Sequence, residues 1–151
     1  MSATNSFENG LLQLIFNNTA LEVHSASGGS LQGSGNIGLF YFALFTSSPG
    51  EVGSIAAEAT YGGYIRVGQA SQDTDQRTSV FYPVANGQVI NGVDILFPEC
   101  VSGSQTITHW ALCSGASGAN ILIYGALSSP ILIASQVQPR IPAGSMIISL
   151  D

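Results

Sequence analysis

The sequence predicts an all-β protein: an antiparallel β-sandwich or jelly roll of about eight short strands, preceded by one short N-terminal helix. Three observations predict it. Hydrophobic residues make up 45% of the 151 positions while glycine takes 18 of them, a mixture that suits short apolar strands joined by tight connections. After residue 36 the apolar runs are strand-length and separated by turn residues. Between Ile107 and Leu127 two such runs flank a polar Ser/Gly/Ala/Asn segment, which is a β-hairpin signal with a longer loop.

Asn5 to Phe16 is the predicted helix. Asn5 is a capping residue and Glu8 stands three positions on, as in a capping box. Phe7, Leu11, Leu14 and Ile15 recur at helical spacing and form an apolar stripe that Leu12 and Phe16 widen. Gly10 weakens this helix by about 1 kcal/mol relative to alanine. A helix of this length is marginal alone, so the stripe must dock, on its own sheet or on a neighbouring subunit. Phe7, Leu11, Leu14 and Ile15 are therefore the candidate interface residues.

A Gly/Ser-rich connection follows, with a short strand near Leu21–His24. Ile37 to Thr46 reads as a long central strand because both of its faces are apolar. Ser47-Ser48-Pro49-Gly50 is a turn, with Gly50 free to take positive φ. Further strands are expected at Tyr64–Ala70, Val80–Val84 and Val93–Phe97. Asn86-Gly87 and Asn91-Gly92 favour type I′ turns, so at least one tight reversal lies there. The hairpin comes next, and its second run Ile121–Tyr124 is apolar on both faces, which calls for cover by a helix, a second sheet or a partner chain. Strands Ile131–Ser135 and Met146–Leu150 close the chain around a loop holding Pro139, Pro142 and Gly144. With no internal repeat, residues 1–151 read as a single domain, helix 5–16 and sandwich 37–151.

Charge limits the partners. Charged residues are 8% of the chain, lysine is absent, and three arginines against nine acids leave a net charge of −6. Phosphate contacts need clustered cations, so neither nucleic acid nor an anionic membrane is an expected partner. The first residues lack the basic, apolar pattern of a signal peptide, and no run approaches the length of a membrane-spanning helix.

Chemistry-bearing residues are sparse. Gly33 to Gly38 spells G-x-G-x-x-G but precedes a strand, whereas a dinucleotide site needs a helix there. Cys100, His109 and Cys113, with His24 as a fourth, match no common zinc spacing, and no metal or cofactor is expected. Glu51, Glu58, Asp73 and Asp75 lie in loops, with nothing to select a catalytic pair. Trp110, Tyr61, Tyr64, Tyr82 and Tyr124 suit a carbohydrate groove, but strand aromatics are more often core. Nothing points to an enzyme.

The order of segments resembles a family of small tailed-bacteriophage virion proteins, labelled tail-fibre-like or capsid-decoration-like. The matching pieces are Asn5–Thr19, Ala43–Glu51, Gly62–Val67, Asp94–Pro98, Ile107–Leu127 and Ile141–Leu150. The Ser/Gly segment Ser25–Gly38 and the two cysteines depart from the family pattern. The resemblance implies a β-sandwich virion component without enzymatic activity, built in a reducing host cytoplasm where a Cys100–Cys113 disulfide is disfavoured. The expected role is capsid decoration: a cement protein, as a homotrimer, bridging major capsid proteins on the head surface. The alternative is a tail-fibre, adaptor or baseplate component that contacts the host.

Overall fold

The computed structural model describes residues 3–24, 29–31, 39–70 and 80–150. The class is all-β with one short helix, and the strand pairings whose register is described are antiparallel, consistent with the expected sandwich or jelly roll. Helix α1 spans Asn5–Phe16. The strands are β1 (Leu21–His24), β2 (Gly29–Leu31), β3 (Leu39–Phe45), β4 (Val67–Ala70), β5 (Gln88–Ile90), β6 (Ile95–Leu96), β7 (Gln105–Cys113), β8 (Ile121–Ile133), β9 (Arg140–Ile141) and β10 (Ile147–Ser149). The chain gathers into two compact units, one of Met1–Gly38, Ala70–Asp94 and Pro142–Asp151, the other of Leu39–Gln69 and Ile95–Ile141.

The first unit holds α1 and the two-stranded pairs β1–β2 and β5–β10. The cap of α1 is Thr4, not Asn5: its Oγ1 accepts from the Phe7 N–H at 3.4 Å. At the far end Asn18 takes φ 52°, and the Thr19 N–H closes on the Gln13 carbonyl at 3.1 Å. Leu12 and Phe16 are fully buried, and Phe16 meets Phe81 edge-on with ring centroids 4.7 Å apart. A side chain at Gly10 would run into Leu21, so the helix keeps a glycine there to let β1 approach. The Asn86-Gly87 turn forms as expected. Both residues have positive φ, 53° and 72°, and Ala85 and Gln88 exchange two backbone hydrogen bonds of 3.0 Å.

Asn91-Gly92 makes no such turn. Asn91 is fully buried, and its side chain ties the C-terminal segment to β5. Its Nδ2 donates to the carbonyls of Val93 (2.9 Å) and Pro142 (2.8 Å), and its Oδ1 accepts from the Met146 N–H (2.8 Å). Among the described residues Val80–Val84 pairs through the Phe81–Asn91 bridge and is not a full strand.

The second unit is built on a four-stranded sheet in the order β4-β3-β7-β8, with β6–β9 as a separate pair. β3 is central, as its doubly apolar sequence requires, and Phe42, Ala43, Leu44 and Phe45 are all fully buried. β3 and β7 run in register from Tyr41–Cys113 to Phe45–His109. β8 departs from expectation. Ile131 does not start a new strand: β8 runs unbroken through Ser128-Ser129-Pro130 to Ile133. The β7 partners explain how. Ile107 pairs with Ile131 and His109 with Ala126, so Leu127–Pro130 form a wide bulge opposite Thr108 alone. Pro130 needs no N–H there. A second bulge at Leu122 lies between the Cys113–Ile121 and Leu112–Ile123 pairs, which is how Ile121–Tyr124 comes to be apolar without regular alternation.

Candidate functional site

The β7–β8 hairpin is the most developed surface feature, and Arg66 fixes its tip. Arg66 lies just ahead of β4 and is 6% exposed. Its guanidinium meets both oxygens of Glu58, Nε to Oε1 at 2.7 Å and Nη2 to Oε2 at 2.8 Å. The remaining N–H groups reach into the hairpin loop: Nη1 donates to the Gly115 carbonyl (3.0 Å) and Asn120 Oδ1 (2.7 Å), and Nη2 to the Gly118 carbonyl (2.8 Å). All five guanidinium N–H donors are thereby used. The Tyr64 hydroxyl donates to Glu58 Oε1 at 3.0 Å and itself accepts from the Leu44 N–H at 3.1 Å.

This polar knot is structural in its electrostatics. The Glu58 hydrogen bond holds the Arg66 guanidinium protonated beyond its ordinary range. Burial pushes the Tyr64 phenol and the Cys113 thiol up, so both stay neutral. The loop it anchors exposes Ser114 and Ala116–Ala119, a small-residue tip held rigid from beneath.

β8 forms one edge of its sheet, with β7 as its strand neighbour among the described residues. Its thirteen residues include no charged side chain. Leu122 is 54% and Leu132 71% exposed. Beside its start, Val52 and Ile55 are exposed too, and the Tyr124 hydroxyl donates to Glu51 Oε1 at 2.6 Å. Within the sheet, Gly125 opposes Trp110, and the indole lies across it so closely that a Cβ at 125 would come within 2.8 Å of Cζ2.

The candidate interface stripe on α1 faces away from the helix's buried side. Phe7 and Ile15 are exposed and Leu11 and Leu14 half-buried, while Leu12 and Phe16 carry the packing. At 100° per residue the two sets lie roughly 135° apart around the helix. Leu12 and Phe16 therefore do not widen the stripe; they are the opposite, inward face.

The other residues singled out from sequence are dispersed or buried. Cys100 and Cys113 are buried free thiols, and Cys100 Sγ donates toward the Ser102 carbonyl at 3.2 Å. His109 Nδ1 pairs with Thr108 Oγ1 at 2.8 Å. Among the described residues no three His, Cys, Asp or Glu side chains are grouped to hold a metal ion. Trp110 and Tyr61 are core residues, which removes them from any carbohydrate groove. Glu58 is committed to Arg66 and Glu51 to Tyr124. Gly33–Gly38, Asp73 and Asp75 lie outside the described residues. Among the described residues no helix is long and apolar enough to cross a membrane. Sequence reading missed the Arg66 knot, since Glu58, Arg66 and Asn120 are ordinary polar residues until the fold joins them.

Comparison with known proteins places this architecture. The model of the family described as podophage GP4 fiber I protein gp80 matches residues 36–149. The match covers β3 to β10, including the Arg66 knot and the β8 edge, and leaves α1, β1 and β2 outside. No curated protein matches the chain. With about three quarters of its length matched, the chain belongs to the podophage GP4 fiber I protein gp80 family and is a structural virion protein of a tailed phage.

Proposed function

We propose that the protein is a non-enzymatic component of the phage's fibre apparatus, assembled through apolar surface rather than charge. The β8 edge carries this reading. An uncharged strand of thirteen residues, with Leu122 and Leu132 exposed and no lysine to blunt it, is the kind of edge that pairs with another chain. With only 8% of its residues charged, the chain has few ionic groups to desolvate when apolar surface is buried between copies. The family's fibre description supports fibre over the capsid role favoured by sequence alone. The partners are further copies of the chain, with a homotrimer the first assembly to look for, and neighbouring virion proteins.

Capsid decoration is the second reading, and the outward stripe Phe7, Leu11, Leu14, Ile15 favours it. That stripe gives the chain an apolar surface separate from β8, as a cement protein seated among major capsid proteins needs. Immunogold electron microscopy of the parent virion, with antibody to this chain, separates the two. Gold on the tail or its fibres is the expected result. Gold over the head would replace the fibre reading with decoration, and absence from the particle would overturn both.

A further inference from the structure

Three Asn-Gly pairs, Asn9-Gly10, Asn86-Gly87 and Asn91-Gly92, share a chemistry unconnected with assembly. In such a pair the glycine amide nitrogen attacks the asparagine Cγ with little steric hindrance. A nitrogen–carbon bond forms, and the side-chain amide leaves as ammonia, taking up the proton that the glycine nitrogen loses. Solvent water then opens the cyclic imide at either carbonyl, giving aspartate or isoaspartate. The reaction needs the glycine nitrogen stripped of its proton and free to turn toward Cγ, so whatever holds that N–H sets the rate.

Asn9-Gly10 lies within α1, and the structure holds the other two differently. At Asn91-Gly92 the Gly92 N–H donates to the Val80 carbonyl at 2.7 Å, and the Asn91 amide is fully buried with its donors and acceptor engaged. That pair is protected by the core. At Asn86-Gly87 the asparagine is exposed at the apex of a hairpin turn. There the Gly87 N–H donates to Oδ1 of Asn9, on α1, at 2.7 Å. Glu8 flanks the same spot: its Oε2 would be 3.6 Å from a Cβ on Gly87.

We propose that Asn86 is a latent deamidation site and that Asn9 guards it, so that docking of α1 on the turn sets how fast the protein ages there. Undocking frees the Gly87 nitrogen. Isoaspartate at 86 then adds a methylene to the main chain inside a two-residue turn and places a carboxylate near Glu8. Both changes oppose return of the helix, so the step is one-way. A virion protein is not resynthesised after assembly, and a guard of this kind lengthens its useful life.

The test is peptide mass mapping with isoaspartate detection on the full chain aged in mildly alkaline buffer. Urea-unfolded protein sets the unguarded rates of all three pairs. In the folded protein Asn86 and Asn91 are expected to convert far more slowly. Asn9→Ala is expected to speed conversion at Asn86 about tenfold and leave Asn91 unchanged. Asn9→Asp, which keeps an oxygen acceptor, is expected to stay near the wild-type rate. Wild-type protein that converts Asn86 as fast folded as unfolded overturns the proposal. So does an Asn9→Ala protein with an unchanged circular dichroism spectrum and the wild-type rate.

Discussion

Arg66 and Glu58 meet as a two-point ion pair at 2.7 and 2.8 Å, and the arginine side chain retains only 2% of its exposure. A pair this enclosed is costly to break on one side, because the orphaned charge stays buried. Arg66→Met is expected to destabilise the second unit by about 3–5 kcal/mol. Arg66→Lys supplies a single ammonium in place of a planar fork and should cost about 2 kcal/mol. Both should release the hairpin tip, because the contacts to Gly115, Gly118 and Asn120 are lost. Urea unfolding gives the stabilities, and amide hydrogen exchange over residues 114–120 reports the tip. Exchange unchanged in Arg66→Met would show that the loop holds itself.

Asn91 plays the matching part in the first unit. Its amide satisfies the Val93 and Pro142 carbonyls and the Met146 N–H. Asn91→Ala strands the buried Met146 N–H and removes the Asn91 bond to the Val93 carbonyl, while the Pro142 carbonyl keeps its bonds from Ser145, and it is expected to cost about 1–3 kcal/mol. Asn91→Asp keeps the acceptor for Met146 but loses both donors and buries a charge, so it should be no milder. Thermal unfolding measures the loss, and faster exchange over residues 142–149 would locate it.

These two residues also mark where sequence stops being informative. The bounds of α1, the central place of β3 and the Asn86-Gly87 turn were legible, because period, doubly apolar faces and local turn chemistry decide them. The buried face of α1 was not: Phe7, Leu11, Leu14, Ile15 and Leu12, Phe16 are both apolar, and tertiary packing, with Phe16 against Phe81, selects the second set. β8 was cut short because Ser128-Ser129-Pro130 carries breaker signals, which pairing with β7 across a bulge overrides. Asn91-Gly92 looked like a turn because its side-chain partners lie about fifty residues downstream. The Arg66 knot joins residues from 58 to 120, a separation no local pattern encodes.

The Trp110–Gly125 pair yields a prediction read directly by fluorescence, since Trp110 is the sole tryptophan. A methyl group at 125 would lie 2.8 Å from Cζ2 and 3.0 Å from Cε2 of the indole. Gly125→Ala must therefore displace a ring that is 7% exposed. Overpacking of this kind is expected to cost about 1–3 kcal/mol. The emission maximum should move to the red as the indole is pushed toward water. An unmoved spectrum with wild-type stability would mean that β8 gives way instead of the ring.

Alkaline pH should weaken the second unit through its buried phenols. Burial, with a smaller contribution from Cys100, pushes Tyr61 from 10.0 up to about 12, and its hydroxyl donates to the Pro98 carbonyl at 3.0 Å. Tyr64 is pushed up further, chiefly by burial and then by the neighbouring Glu58 charge, against the opposing hydrogen bond from Leu44. In the unfolded chain both phenols release their protons near pH 10, whereas the native state keeps them. The native state therefore binds more protons above that point. The stabilisation is fully present below pH 10 and declines as pH rises through 12, by about 1.4 kcal/mol per pH unit for each phenol. Tyr61→Phe should flatten the decline by one proton's worth, at the expense of the bond to Pro98 at every pH. Urea midpoints measured from neutral pH upward check this, and a midpoint that holds constant through pH 12 would show that the phenols do not control alkaline stability.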